Sequence, residues 1–154
     1  MRKLKLVIEL YFVRILDIRE KENMNQTQMA ALLNTSQANY SRWESGAEFI
    51  PLKRLNLLCN KFNASMDYVL GLSKVNQPTK KVELDKKIIG NNLKIFRKSK
   101  GLTQLQLAEI LNTTQSTISA YEAGKTLILT AFAYQLAEQY NLSLDWLTNR
   151  KIDK

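Results

Sequence analysis

Thr103-Gln104-Leu105-Gln106-Leu107-Ala108-Glu109-Ile110-Leu111-Asn112-Thr113-Thr114-Gln115-Ser116-Thr117-Ile118-Ser119-Ala120-Tyr121-Glu122 is the stretch from which the fold is read. Leu107 and Leu111, then Ile118 and Tyr121, recur at helical spacing on either side of one break. Thr103 is placed to cap the first segment, and Gln106, three residues on, completes a capping box. Asn112 interrupts the periodicity, and asparagine is among the few non-glycine residues that tolerate a left-handed backbone. Thr113 or Thr114 then caps a second helix, Gln115 to about Tyr121, stopped near Gly124. The spacing predicts two short helices joined by a tight turn.

The same arrangement occurs earlier in the chain. A shift of 78 positions superimposes the two halves without a gap. It brings Gln26 onto Gln104, Ala30 onto Ala108, Leu33-Asn34-Thr35 onto Leu111-Asn112-Thr113, and Gln37 onto Gln115. Arg19, Glu44 and Gly46 fall on Arg97, Glu122 and Gly124, and apolar exchanges such as Trp43/Tyr121 fill the positions between. Two copies are too few for a solenoid, so the pattern reads as duplicated domains.

The flanks extend each pair into a five-helix unit. Ile88, Ile89, Leu93 and Phe96 form the apolar stripe of a preceding helix, which Lys98-Ser99-Lys100-Gly101 ends with basic residues and a glycine. A fourth helix is predicted over about Thr130 to Gln139, and Ser143 with Asp145 opens a short fifth. In the first copy the corresponding marks are Phe12, Ile15 and Leu16, then Gln26 to Leu33, Gln37 to Trp43, Pro51 at the start of the fourth helix, and Ser65 with Asp67. The expected fold class is all-α: domains at 1–72 and 85–154, joined by a short basic linker at 73–84 that contains Pro78.

Composition narrows the partners. The net charge is +9, with +3 from residues 1–73, +3 from 74–87 and +3 from 88–154, a distribution that suits a polyanion. Cys59 is the only cysteine and there is no histidine, so neither an intramolecular disulfide nor a Cys/His zinc site is expected. Lys5, Glu9 and Arg14 break up the apolar N-terminal stretch, and no run approaches membrane-spanning length, so a cytoplasmic location is expected. Without histidine, a phosphate-binding glycine loop or clustered carboxylates, the chain reads as a non-enzyme, with no metal, cofactor or small-molecule ligand.

Two helices across such a turn form a helix-turn-helix unit, whose second helix can enter the DNA major groove. Ala30 and Ala108 provide the small residue where the helices cross. Met29, Leu33, Tyr40 and Trp43 in one copy, and Leu107, Leu111, Ile118 and Tyr121 in the other, provide the buried side chains that set the angle. With these positions satisfied twice, the chain resembles the lambda-repressor/Cro-like, or XRE-type, regulators of bacteria and their phages, over about residues 11–71 and 89–149. The second copy carries the pattern nearly whole, from Arg97-Lys98-Ser99-Lys100-Gly101-Leu102-Thr103-Gln104 through Tyr121-Glu122 and Gly124-Lys125. The first departs at Asn23, Asn25 and Ala47, which stand where Gly101, Thr103 and Lys125 stand in the second. These departures are expected to weaken a helix exit, a cap and a phosphate contact.

The resemblance implies a sequence-specific regulator of double-stranded DNA, a repressor, with one recognition helix per domain. Gln37 and Gln115 begin those helices, where a glutamine reads adenine N6 and N7 or is simply a solvated helix-terminal residue. Ala38, Asn39, Ser41 and Arg42 share the exposed face in the first copy, as do Ser116, Thr117, Ser119 and Ala120 in the second. Arg42 either reads a guanine or clamps a phosphate. Gln26 and Gln104, at the start of the preceding helices, and Lys125 are the phosphate candidates. Arg19/Glu44 and Arg97/Glu122 are implied to be structural ion pairs, not catalytic ones. Trp43, Trp146 and Tyr68 are expected in the core.

A linker of about ten residues spans at most roughly 35 Å, close to the roughly 34 Å between successive major grooves. One chain is therefore expected to reach two half-sites. The alternative is that one domain binds DNA while the other holds a second protomer or another protein, as in an antitoxin-like module.

Overall fold

The computed structural model describes residues 14–153; Phe12 lies outside the described residues. The chain divides into two compact units, the first ending at Thr79 and the second beginning at Lys80. In the first unit, α1 (described over 14–21) is followed by α2 (Gln26–Leu32), α3 (Gln37–Ser45), α4 (Leu52–Phe62) and α5 (Met66–Val69). The second repeats the plan with α6 (Lys86–Ser99), α7 (Gln104–Ile110), α8 (Gln115–Glu122), α9 (Thr130–Tyr140) and α10 (Leu144–Leu147). Each unit is thus an all-α, five-helix domain, as the periodicity predicts.

Local chemistry accounts for the ends of these helices. Asn34 and Asn112 adopt φ 56° and φ 55°. At each turn the next threonine N–H closes the helix, Thr35 to the Ala30 carbonyl and Thr113 to the Ala108 carbonyl, both at 2.9 Å. Thr114, and not Thr113, caps α8, its hydroxyl accepting the Thr117 N–H at 3.2 Å. Pro51 is the N-cap of α4 and lies just outside the helix.

Two of the first copy's departures turn out to be conservative in structural terms. Asn23 takes φ 55°, the conformation Gly101 takes at φ 67°, so the exit from α1 is kept. Asn25 forms a complete capping box: its side chain accepts the Gln28 N–H at 2.8 Å while its own N–H donates to Gln28 Oε1 at 2.9 Å. Neither weakness expected from these substitutions is present.

Each core is built from the apolar faces of its five helices. Met29, Leu33, Tyr40, Trp43 and Leu55 are buried in the first unit, and Leu93, Leu107, Leu111, Ile118 and Leu136 in the second. Cys59 is a buried core residue. Trp43 is buried, whereas Tyr68 and Trp146 are half-buried. The Arg14 guanidinium lies 4.0 Å over the Tyr68 ring and donates to the carbonyls of Tyr68 and Ser73.

Gly90 fixes an approach that hydropathy does not reveal. A Cβ there would stand 2.2 Å from the Tyr121 carbonyl oxygen, so only glycine lets α6 meet the end of α8 at this distance. The segment between the units is anchored at both ends. Asn76 accepts the Ser65 N–H at 2.9 Å and donates to the Asn63 carbonyl at 3.1 Å, within the first unit. Lys80 N–H donates to the Arg150 carbonyl at 2.7 Å, within the second. The Arg150 side chain is itself buried and lies 3.4 Å from Asp145.

Candidate nucleic-acid interface

The candidate site in each unit is the exposed side of the second and third helices, and it begins with a largely buried ion pair. Arg97 Nε donates to Glu122 Oε2 at 2.7 Å, and Nη2 donates to Oε1 at 2.9 Å. In the first unit Arg19 Nε and Nη2 reach Glu44 Oε2 and Oε1 at 2.9 and 2.7 Å. This fork-to-fork contact is the strongest geometry open to the two side chains. The remaining Nη1 donates to the Met24 carbonyl in one unit and the Leu102 carbonyl in the other, tying in the loop ahead of α2 or α7. Burial opposes the charge on Glu44, but Arg19, with Tyr40 and Gln26, outweighs it and holds the carboxyl below its ordinary range. Glu44 and Arg19 lie near the buried Tyr40 hydroxyl, and burial raises that phenol far above its usual range.

The same carboxylates orient the glutamines that open α2 and α7. Gln26 Nε2 donates to Glu44 Oε1 at 3.3 Å, and Gln104 Nε2 to Glu122 Oε1 at 3.2 Å. An ionised carboxylate only accepts, so it sets which end of each amide faces it. In the first unit the order propagates: Gln26 Oε1 is left facing Gln37 and accepts its Nε2 at 2.7 Å. Gln37 therefore turns its own Oε1 and one N–H outward, the pair that matches N6 and N7 of an adenine. In the second unit Gln115 is exposed and its amide is not bonded to Gln104.

Helix geometry brings most of the second unit's candidates together. Gln104, Gln115, Ser116, Ser119, Ala120 and Lys125 line one open concavity of about 430 Å³. Thr117 turns away from it, its hydroxyl 2.9 Å from that of Thr114 at the cap. In the first unit Gln37, Ala38 and Arg42 are exposed, while Asn39 and Ser41 are half-buried. Asn39 Nδ2 donates to Thr35 Oγ1 at 3.2 Å, and its Oδ1 accepts from Arg42 Nη2. Arg42 Nε also lies 3.4 Å from Glu48 Oε1. Sequence reading missed Glu48; its sign was the aligned exchange Ala47-Glu48 for Lys125-Thr126.

No group of three or more metal-ligating side chains occurs among the described residues, and no helix there is long and apolar enough to cross a membrane. Two units, each presenting an exposed helix across a tight turn from a positioning helix, define a DNA-binding protein of the helix-turn-helix class used in transcriptional regulation. A helix-turn-helix family model matches the chain twice, over residues 15–69 and 93–147, and the chain belongs to that family.

Among curated proteins the chain is similar to "Antitoxin PezA" of Streptococcus pneumoniae serotype 4, 28% identical over 74 residues, or 48% of this chain and 47% of that protein. It is also similar to "Uncharacterized HTH-type transcriptional regulator YobD" of Bacillus subtilis, 28% identical over 74 residues, or 48% of this chain and 64% of that one. The matched stretch thus covers less than two thirds of either relative's own length. No solved structure matches the chain.

Proposed function

We propose that this protein is a sequence-specific transcriptional repressor that lays α3 and α8 in the major groove of double-stranded DNA. The observation that carries the proposal is the pair of exposed glutamines, Gln37 and Gln115, each the first residue of its helix and each set beside a positioning helix by the same buried ion pair. In this reading Gln37 with Ala38, Asn39, Ser41 and Arg42, and Gln115 with Ser116, Ser119 and Ala120, face base edges, while Thr117 serves the cap of α8. Gln26, Gln104 and Lys125 face phosphates, helped by the backbone N–H groups that the first turn of a helix leaves without intrahelical acceptors. Because the two faces differ, the half-sites they read differ as well.

Selection from random duplexes tests this with the intact chain, Gln37→Ala and Gln115→Ala. The expected result is loss of base preference at distinct positions for the two variants. Unaltered preferences in both would sink the proposal.

A second reading is favoured by the similarity to a protein named as an antitoxin. Here the second unit binds DNA and the first holds a protein partner or a second copy of the chain. If Gln37→Ala leaves every base preference intact but changes the mass of the chain in solution, this reading replaces the first for that unit.

A further inference from the structure

The two DNA-facing surfaces differ most in charge just beyond the recognition helix. The first unit carries Arg42, Ala47 and Glu48 where the second carries Ala120, Lys125 and Thr126. Over these three positions the first is neutral and the second has a charge of +1. The second offers an unopposed lysine at the rim of its concavity. The first offers an arginine already engaged.

That engagement is specific in geometry and weak in strength. Arg42 Nε faces Glu48 Oε1 at 3.4 Å, and Nη2 donates to the Asn39 amide oxygen. The fold supports the closure, since the Glu48 N–H donates to the Arg42 carbonyl at 3.3 Å beyond the left-handed Gly46. Both side chains of the ion pair are about half exposed (47% and 57%), so water screens their attraction and the contact is readily exchanged.

We propose that Glu48 is a specificity-determining residue of the first unit, an internal competitor that holds Arg42 away from DNA phosphates and yields it to a guanine. The inference rests on the reading of α3 as a DNA-docking helix. A phosphate that attracts Arg42 must approach the Glu48 carboxylate, and the like charges oppose each other. The O6 and N7 of guanine carry no net charge and accept both N–H groups of a guanidinium fork at once, which one long contact to Glu48 cannot match. Glu48 therefore suppresses sequence-independent binding more than specific binding. In the second unit the neutral Thr126 stands at the matching position, and Lys125 is left to the phosphates.

The test compares the full chain with Glu48→Gln, Arg42→Ala and the double variant, with Lys125→Ala as the control for the second unit. Each is titrated by fluorescence anisotropy against the duplex recovered by selection and a scrambled duplex of equal length, over a salt series. Thermal melts verify that each variant is folded. Glu48→Gln is expected to tighten binding to the scrambled duplex, to steepen its salt slope by about 0.9 for one added phosphate contact, and to lower the ratio of specific to non-specific affinity. In the Arg42→Ala background the same change should have little effect.

An equal gain in both backgrounds overturns the proposal, because simple charge removal then suffices. So does loss of preference for cytosine at one position, which would make Glu48 a direct reader of cytosine N4. No change with Glu48→Gln, while Lys125→Ala still flattens the salt slope, overturns it and leaves DNA binding by the second unit standing. If no variant alters binding to either duplex, the DNA-docking reading falls as well.

Discussion

Gln37 Nε2 donates to Gln26 Oε1 at 2.7 Å, and Gln26 Nε2 donates in turn to the Glu44 carboxylate at 3.3 Å. A buried charge thereby orders two amides in series and determines which atoms Gln37 presents at the start of α3. Replacing Gln26 by Leu removes the middle of this relay and leaves Gln37 in place. The expected outcome is a folded protein that has lost adenine preference at one base pair, at a cost of about 1–3 kcal/mol in discrimination for a bidentate contact. Binding-site selection with the variant checks this, and an unchanged preference would show that Gln37 is oriented by something else.

Glu122→Gln should lower the stability of the second unit. Arg97 is buried, and the substitution removes the charge that both its Nε and Nη2 contact. Leaving a buried charge without its partner costs about 3–5 kcal/mol. The Arg97 bond to the Leu102 carbonyl survives, which places the expected loss near the lower end. Chemical denaturation of the intact chain measures it; a midpoint equal to that of the parent protein contradicts the pairing.

Acid should weaken the first unit through Glu44. Its unfolded carboxyl titrates near 4.5, and in the folded unit Arg19, with Tyr40 and Gln26, holds it lower against the cost of burial. Between those two values the unfolded chain binds more protons. The stabilisation is therefore complete above about 4.5 and is lost as the pH falls through the folded value. Melts from pH 7 to pH 3 should show the gap between the parent protein and Glu44→Gln narrowing on acidification. A gap that is constant with pH would exclude titration of Glu44 as its cause.

Gly101 should tolerate asparagine better than alanine. Its φ of +67° is left-handed, and no atom lies within 4 Å of the place a Cβ would take. The penalty is therefore conformational, about 1–2 kcal/mol for alanine. Asn23 already occupies the matching position in the first unit at φ 55°. Gly101→Asn is expected to melt close to the parent protein and Gly101→Ala measurably lower. Equal melting of the two variants would refute the argument.

Much of this architecture is written in local chemistry. Capping boxes, left-handed asparagines and the 3.6-residue spacing of Leu107, Leu111, Ile118 and Tyr121 act over one or two turns of chain, and a repeat at 78 positions states each of them twice. The helices, the turns, the family and the position of the leading glutamines were legible for that reason. Spacing alone could not show that Gly90 must be glycine, because its neighbour, the Tyr121 carbonyl, belongs to another helix. Nor could it show that the Glu44 and Glu122 carboxylates bond Gln26 and Gln104 as well as Arg19 and Arg97. The first copy's Asn23 and Asn25 read as losses in the sequence and prove equivalent in the fold, since backbone angle and a hydrogen-bonding oxygen matter there more than residue identity. The sequence by itself determined what each segment becomes. Only the tertiary structure decided which way each polar side chain points, because that depends on partners 11 to 25 residues away whose approach is set by packing.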